Sequence, residues 1–302
     1  MKKLFFSIAI VAMAFTMVSC GNKTGQASGA DSTVTDSTAT DSVVAAAGDN
    51  KHTPDYVRQR VDSIYSPYKN PKYDKVGMRL MKPRGNFDDM YCSTRYKALL
   101  AKAEAMTGDD DILLDYDHWT NSQDDNNFTC QVGKISNMTD STAVVQVKAK
   151  NGGKGYDILL SLIFERDDWY VDDFLPTAGD DSESEKVYFE RYIREAPINR
   201  IKEFYRVCVY GGEIPTEDML KNYCTKKLMK KLRDDYDYDG EGFAIWDFTT
   251  PEVDRKGTEV KDVKALGNNK YKVITDDPLA TNVITIVIDN GIRFDDVVNV
   301  AK

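Results

Sequence analysis

A pattern of helical and strand-like segments that occurs twice constrains the fold of this chain more than any other feature. In residues 54–68 and 94–106, apolar residues recur every three or four positions, which is the spacing of one helical face. Strand-like runs separated by turn residues follow at 128–135, 141–149, 156–164 and 169–175. Helices followed by an antiparallel meander predict an α+β fold.

The same order recurs in the second half of the chain. Helical spacing is found in residues 198–209 and again after Pro215, where Thr216 is suited to cap a helix. Further strand-like runs follow at 258–266, 270–275, 282–288 and 292–298. Asp289-Asn290-Gly291 lies between the last two runs and predicts a hairpin turn.

Short sequences of the first half match sequences of the second half in the same order. The matches are Ile64-Tyr65 with Phe204-Tyr205, Tyr91-Cys92 with Tyr223-Cys224, Trp119 with Trp246, and Asp172-Asp173 with Asp295-Asp296. Their separation shortens steadily along the chain, as expected if each connection is slightly shorter in the second copy. We therefore predict an internal duplication, with one α+β domain at 54–178 and a diverged copy at 179–302.

Helix starts are predicted from residues that accept backbone hydrogen bonds. Ser93, Thr94 and Thr225 are predicted caps of corresponding helices in the two copies. Between the copies we predict a linking helix, for which Ser182 and Glu185 have the spacing of a capping box.

The N-terminus predicts export and anchoring. Lys2 and Lys3 precede an apolar run of about 15 residues, which is shorter than the roughly 20 that a membrane span needs. The run ends at Ser19-Cys20, which resembles the bacterial lipoprotein signal. The resemblance implies a signal peptide at 1–19, cleavage before Cys20 and acyl chains on its thiol and new amine, which together anchor stably. Ordinary secretion with an incidental Cys is the alternative.

Residues 20–53 form a predicted linker with almost no large apolar side chains, so we expect this segment to be disordered. It contains the repeat DSTVT-DSTAT-DSVVA. Asp-Ser followed by Thr or an aliphatic residue resembles the O-glycosylation sequon of Bacteroides-type periplasmic proteins. The resemblance implies modification at Ser32, Ser37, Ser42 and, in the first domain, Ser141. A linker without modification is the alternative.

Residues 55–175 include the polar segment DHWTNSQD and end on DDWYVDDF, and they resemble domain of unknown function 3828, a family of Bacteroides-type lipoproteins. Residues 197–300 resemble a diverged second copy. That family is similar to the nuclear-transport-factor-2-like fold, in which a curved antiparallel sheet wraps around helices as a cone. The resemblance implies two tandem cones and no particular activity, because such folds host enzymes, binding modules and adaptors.

Charge argues against a nucleic-acid partner. The net charge is −9, whereas phosphate binding requires a clustered basic field. A local basic run at residues 226–233 is interpreted as the solvated face of a helix.

The densest mixture of reactive side chains lies in DHWTNSQD, at residues 117–124. If the first domain were an enzyme, His118 would act as a base oriented by Asp117 or Asp124. The favoured interpretation is structural, with Trp119 in the core and the acidic residues capping turns. The usual motifs of serine hydrolases, phosphate-binding loops and zinc proteases are not found in the sequence.

Asp235, Asp237 and Asp239, followed by Gly240, match the start of a calcium loop. Trp246 occupies the position where such loops place a bidentate Glu. The sequence therefore leaves two alternatives: a weak calcium site, with the millimolar affinity of extracellular modules, or a solvated acidic turn.

The sequence allows the cysteines to be either disulfide-bonded or free. A bridge between Cys208 and Cys224 is conceivable, but we favour four buried thiols at Cys92, Cys130, Cys208 and Cys224.

We therefore expect a lipid-anchored protein of the cell envelope, on the outer membrane and facing the periplasm. The favoured function is a non-catalytic binding or assembly module for an envelope protein or small ligand. A ligand-binding or enzymatic first cone using His118 and Asp124, and a calcium-binding module, are the alternatives. No cofactor other than calcium is expected.

Overall fold

Two four-stranded antiparallel sheets, each preceded by helices, make up the part of the chain that the computed structural model describes. The described residues are 50–69, 87–108, 112–124, 126–238, 241–249, 259–276 and 280–301. Cys20, Ser32, Ser37, Ser42 and Asp239 lie outside these residues. The helices and the two antiparallel sheets confirm the predicted α+β class.

The described residues of the first half form four helices and four strands. They are α1 (Pro54–Ile64), α2 (Ser66–Lys69), α3 (Phe87–Tyr91), α4 (Thr94–Met106), β1 (Thr129–Ser136), β2 (Thr142–Asn151), β3 (Lys154–Glu165) and β4 (Asp168–Leu175). The strands pair in the order β1-β2-β3-β4. Helix α1 begins where predicted, because Pro54 occupies its first turn and the Thr53 hydroxyl accepts from the backbone N–H of Tyr56.

The second half repeats this plan after one long helix. Its elements are α5 (Glu185–Phe204), α6 (Glu217–Lys221), α7 (Lys226–Asp234), β5 (Val260–Gly267), β6 (Lys270–Thr275), β7 (Ala280–Ile288) and β8 (Ile292–Ala301). A π-helical turn at Tyr205–Val209 follows α5, and a 3-10 turn at Ile245–Phe248 precedes the sheet. The strand order is β5-β6-β7-β8. All eight predicted strands are confirmed.

Corresponding contacts in the two halves support the predicted duplication. Cys92 forms a parallel bridge with Val171, and Cys224 forms the same bridge with Phe294. The next residue in each copy is the helix cap, and its hydroxyl donates to the first Asp of the matched acidic pair. Ser93 reaches Asp172 at 2.6 Å, and Thr225 reaches Asp295 at 3.0 Å. The Tyr-Cys sequences and the acidic pairs therefore form one recurring junction between a helix start and the last strand.

One predicted match is wrong. Trp119 is fully buried and packs edge-on against Tyr65. In the second half, Phe248 is the buried ring that packs edge-on against Tyr205, whereas Trp246 is half-buried and stacks on Tyr236. The packing counterpart of Trp119 is therefore Phe248.

The linking helix is also different from its prediction. Helix α5 runs without interruption through Pro197 and includes the start of the predicted helix at 198–209. Its N-cap is Ser184, so the capping box from Ser182 is wrong. The carboxylate of Asp173 accepts from the backbone N–H of Lys186 at 3.0 Å and satisfies a helix-end donor instead.

Helix α5 is shared by two hydrophobic cores. Phe189 is buried in the core of the first half, while Ile201 and Phe204 are buried in the core of the second half. Residues 48–302 form one compact unit. A boundary at 178/179 therefore falls before a helix that the first core requires.

A second contact joins the halves at the β7–β8 hairpin. The backbone N–H of Gly291 donates to the carbonyl of Ala105 at 3.2 Å, near the C-terminus of α4. Gly291 has a φ of +97°, and a Cβ there would lie 3.2 Å from the Cα of Gly108. Glycine is required for both the backbone conformation and the close approach.

The four cysteines within the described residues are thiols. Cys92, Cys208 and Cys224 are buried free thiols, and Cys130 is a half-buried thiol. The conceivable bridge between Cys208 and Cys224 is not formed. Burial raises the pKa of Cys208 to about 11 and that of Cys224 to about 12, so both stay protonated at neutral pH.

Candidate functional site

His118 lies in the segment between α4 and β1, and it is buried. Only 8% of its surface is exposed. Its ring stacks on Phe174 of β4, with a centroid separation of 4.2 Å and an interplanar angle of 18°. The imidazole is therefore held in the core, and its orientation is fixed by an aromatic neighbour.

Both ring nitrogens of His118 face carboxylates. Nε2 lies 2.9 Å from Oδ1 of Asp88 in α3. Nδ1 lies 3.3 Å from Oε2 of Glu185 in α5 and 3.2 Å from the hydroxyl of Tyr96 in α4. The buried histidine thus ties together three helices.

The two carboxylates receive further hydrogen bonds. The Tyr96 hydroxyl donates to Oε2 of Glu185, and the Tyr116 hydroxyl donates to Oε1 at 3.0 Å. Nε1 of Trp119 donates to Oδ1 of Asp88 at 2.6 Å. A buried polar network of this kind is stabilising when its members are satisfied, and this one has a partner for each group.

The network determines the charge of His118. Burial alone would lower the pKa of His118, but the hydrogen bonds to Asp88 and Glu185 and their negative charges raise it to about 9. The imidazole is therefore protonated at neutral pH. A protonated ring with carboxylates on both nitrogens has no lone pair to accept a proton, so His118 is unsuited to act as a general base.

The acidic partners expected for His118 lie elsewhere. Asp117 is in a turn, where its carboxylate accepts from the backbone N–H of Trp119 at 3.0 Å. Asp124 is exposed, and its carbonyl accepts from Asn151 and Ser122 at the start of the sheet. The predicted pairing of His118 with either residue is wrong, and the structural interpretation of these acidic residues as turn formers agrees with their contacts.

The interior of the first half is filled by aromatic rings around Trp119. Phe87 packs edge-on against Trp119 at 4.8 Å, and Phe174 packs edge-on at 5.1 Å. A cavity of about 70 Å³ remains beside His118, between Tyr116, Asp157 and Glu185. That volume suits a few water molecules and is far below the size of an ordinary ligand pocket.

The acidic loop after α7 brings the carboxyl groups of Asp235 and Asp247 together. Asp235 and Asp237 are exposed. Burial, together with the charge of Asp235 and a hydrogen bond to it, raises the pKa of Asp247 to about 6. Asp247, which follows Trp246, was not among the predicted ligands. Within the described residues, no group of three or more His, Cys, Asp or Glu side chains is arranged to hold a metal ion.

A concave surface joins the two halves where α4 and α5 meet the β7–β8 hairpin. We call it the junction crevice. It has a volume of about 590 Å³, within the range of ligand pockets. Its lining combines the end of α4, one face of α5 and the second half's hairpin, and it includes Met106, Tyr192, Arg200, Tyr223, Ile292 and Arg293.

Arg200 of α5 is fixed against one wall of the junction crevice. Its guanidinium lies over the Tyr223 ring at 4.1 Å and donates to the Asn222 carbonyl at 2.6 Å. Arg200 comes from the helix whose residues are buried in both cores, so packing on both sides holds the wall that carries it.

Of the predicted modification sites, Ser141 is described. It is exposed in the turn between β1 and β2, where the Thr139 hydroxyl accepts from its backbone N–H at 3.2 Å. An exposed turn leaves the Ser141 hydroxyl accessible to a modifying enzyme.

Comparisons with known proteins gave no relative: no family model, no curated protein and no solved structure matches the chain. Among the described residues, no helix has the length and apolar character needed to cross a membrane.

Proposed function

We propose that the protein is a lipid-anchored protein of the bacterial cell envelope that acts as a non-catalytic binding or assembly module. In this proposal Cys20 carries the acyl chains, and the linker holds the folded part on the periplasmic side of the outer membrane. Each half is proposed to be a nuclear-transport-factor-2-like cone. The apolar N-terminal run, Ser19-Cys20 and the duplicated order of helices and strands support it.

The junction crevice is the single observation that carries the binding role. Its walls come from both halves, so the site exists only in the duplicated chain. Helix α5 and the Gly291 contact hold the walls in place. A preformed concave surface lowers the ordering cost of association.

The enzymatic alternative is disfavoured by the surroundings of His118. The ring is charged, buried and bonded to carboxylates on both sides. The adjoining space of about 70 Å³ is too small for a substrate of ordinary size.

Photo-crosslinking in the native envelope tests the binding role. Photoreactive side chains at Asn199 and Asn290, both exposed in the crevice, are expected to give the same discrete adduct. The same side chain at Lys148, exposed on the first sheet, serves as the control and is expected to give none. Labelling equal to that of Lys148 would contradict a binding role for the crevice.

Replacement of Cys20 tests the anchor. Cys20→Ala is expected to move the protein from the membrane fraction to the soluble periplasmic fraction and to abolish incorporation of labelled palmitate. Retention in the membrane at wild-type level would show that anchoring does not depend on Cys20.

A weak calcium site is a second candidate, supported by the close carboxyl groups of Asp235 and Asp247. Millimolar calcium is expected to raise the melting temperature of the wild type and to leave Asp235→Asn unchanged. Absence of heat in calorimetry and of any melting shift would rule it out.

A further inference from the structure

The junction crevice continues into a second concave surface of opposite charge to the molecule as a whole. The second cavity, of about 1180 Å³, shares Asn222, Asn290 and Arg293 with the first. Basic side chains outnumber carboxylates along the two cavities, although the chain carries a net charge of −9. An excess of one sign of charge in a concave region raises the local concentration of ligands of the other sign.

Arg293 stands where the two cavities meet. Its Nε donates to the Asp289 carbonyl at 3.2 Å, and its Nη1 donates to the Lys221 carbonyl. Backbone carbonyls fix the guanidinium without neutralising it. Among the described residues, no carboxylate pairs with Arg293, and its Nη2 is uncommitted. A fixed guanidinium with an available edge is a suitable donor for a carboxylate.

Lys226 adds a second uncompensated charge. It is exposed in the first turn of α7 and forms no ion pair with a described residue. The next residue, Lys227, differs because its ammonium group pairs with Asp295 at 2.6 Å. The N-terminal end of α7, nine residues long, adds the positive end of its dipole to the same region.

Apolar surface accompanies the charge. Met106, Tyr192 and Ile292 line the first cavity, and Met229 and Val287 line the second. The combined space exceeds the usual range for a small-molecule site. Free phosphate would leave this apolar surface unused, whereas a peptide with both acidic and apolar side chains would cover it.

We propose that the junction crevice and its basic extension bind an extended acidic peptide segment of a partner protein. Carboxylates of the segment bind Arg293 and Lys226, and its apolar side chains pack on Met106 and Tyr192. This inference rests on the proposed binding function and names the chemistry of the partner.

Fluorescence anisotropy with the full chain in detergent tests the proposal. The probe is a labelled ten-residue peptide of alternating Glu and Leu, and the matched control probe alternates Lys and Leu. The acidic probe is expected to bind at least tenfold more tightly. Raising the salt concentration from 50 to 200 mM should weaken this binding severalfold, because charge pairs contribute to it.

Variants locate the site. Arg293→Gln is expected to weaken binding of the acidic probe about tenfold. Lys226→Glu, which removes no described contact, is expected to weaken it without changing the melting temperature. The control is Arg95→Gln, an exposed arginine outside both cavities, which should bind as the wild type does.

Three outcomes would overturn the inference: no preference for the acidic probe, equal loss in Arg95→Gln, or Arg293-dependent binding only of inorganic phosphate or anionic lipid vesicles. If crosslinked adducts form at Asn199 and Asn290 while the acidic probe does not bind, the acidic partner is wrong and the binding role stands. If neither is seen, both proposals fail.

Discussion

His118 retains its charge in the core because two carboxylates offset the cost of burying an imidazolium. Asp88 and Glu185 flank the ring, and Trp119, Tyr96 and Tyr116 donate further hydrogen bonds to these two carboxylates. Removing the central member would leave buried charges without a counter-ion, which is far more costly than loss of an exposed ion pair.

The pKa of His118 predicts a pH dependence of stability. The folded value of about 9 lies above the unfolded value of about 6.5. Its contribution is therefore complete below pH 6.5 and is lost as the pH rises through 9. The shift corresponds to about 3 kcal/mol. Urea denaturation between pH 6 and pH 10 is expected to show this loss.

His118→Gln provides the comparison. We expect it to be less stable at pH 6 and to lose less stability than the wild type as the pH rises. Titration of the buried thiols is common to both proteins and cancels in the difference. Parallel pH profiles for the two proteins would show that His118 is not held as an imidazolium.

At the scale of secondary structure elements, the β7–β8 hairpin is both a turn and an interface. Its Gly291 satisfies a carbonyl of α4 and approaches Gly108 closely. We expect Gly291→Ala to destabilise the protein by about 2 kcal/mol or more, because a left-handed backbone and a steric contact both oppose the new methyl group.

Gly267→Ala separates these two costs. Gly267 also has a positive φ, +84°, but a Cβ there would meet open space. The free energy of unfolding of Gly267→Ala should therefore fall only by the cost of the left-handed backbone, about 1 kcal/mol. Equal unfolding free energies for the two variants, measured by urea denaturation, would mean that the hairpin does not press on α4.

Local sequence patterns predicted most of the elements. Strands β1 to β8 were found because alternation and turn residues are local signals. The partners of His118 were missed because Asp88 and Glu185 are distant in sequence and reach the ring only through packing of α3 and α5. Trp246 is not the counterpart of Trp119, because a shared residue type in the sequence does not determine which ring is buried. The walls of the junction crevice come from separate segments, so no local pattern marks them.

For the whole molecule, the shared helix predicts that the first half cannot fold from its own residues. A fragment of residues 48–178 lacks Glu185 and Phe189, which would leave His118 with one carboxylate and open the core. We expect it to lack the near-ultraviolet circular dichroism of a packed Trp119, whereas residues 48–196 should retain it. A cooperative melt of the shorter fragment would contradict this dependence.

The continuity of α5 also has a consequence for inheritance. Recombination between genes usually exchanges domains at linkers, where few contacts cross. Here the join is a helix whose first turns close one core and whose last turns belong to the other. A crossover within α5 would separate one of the two halves from a residue that its core requires. Once duplicated, the two copies are therefore expected to be transmitted together, as a single heritable unit.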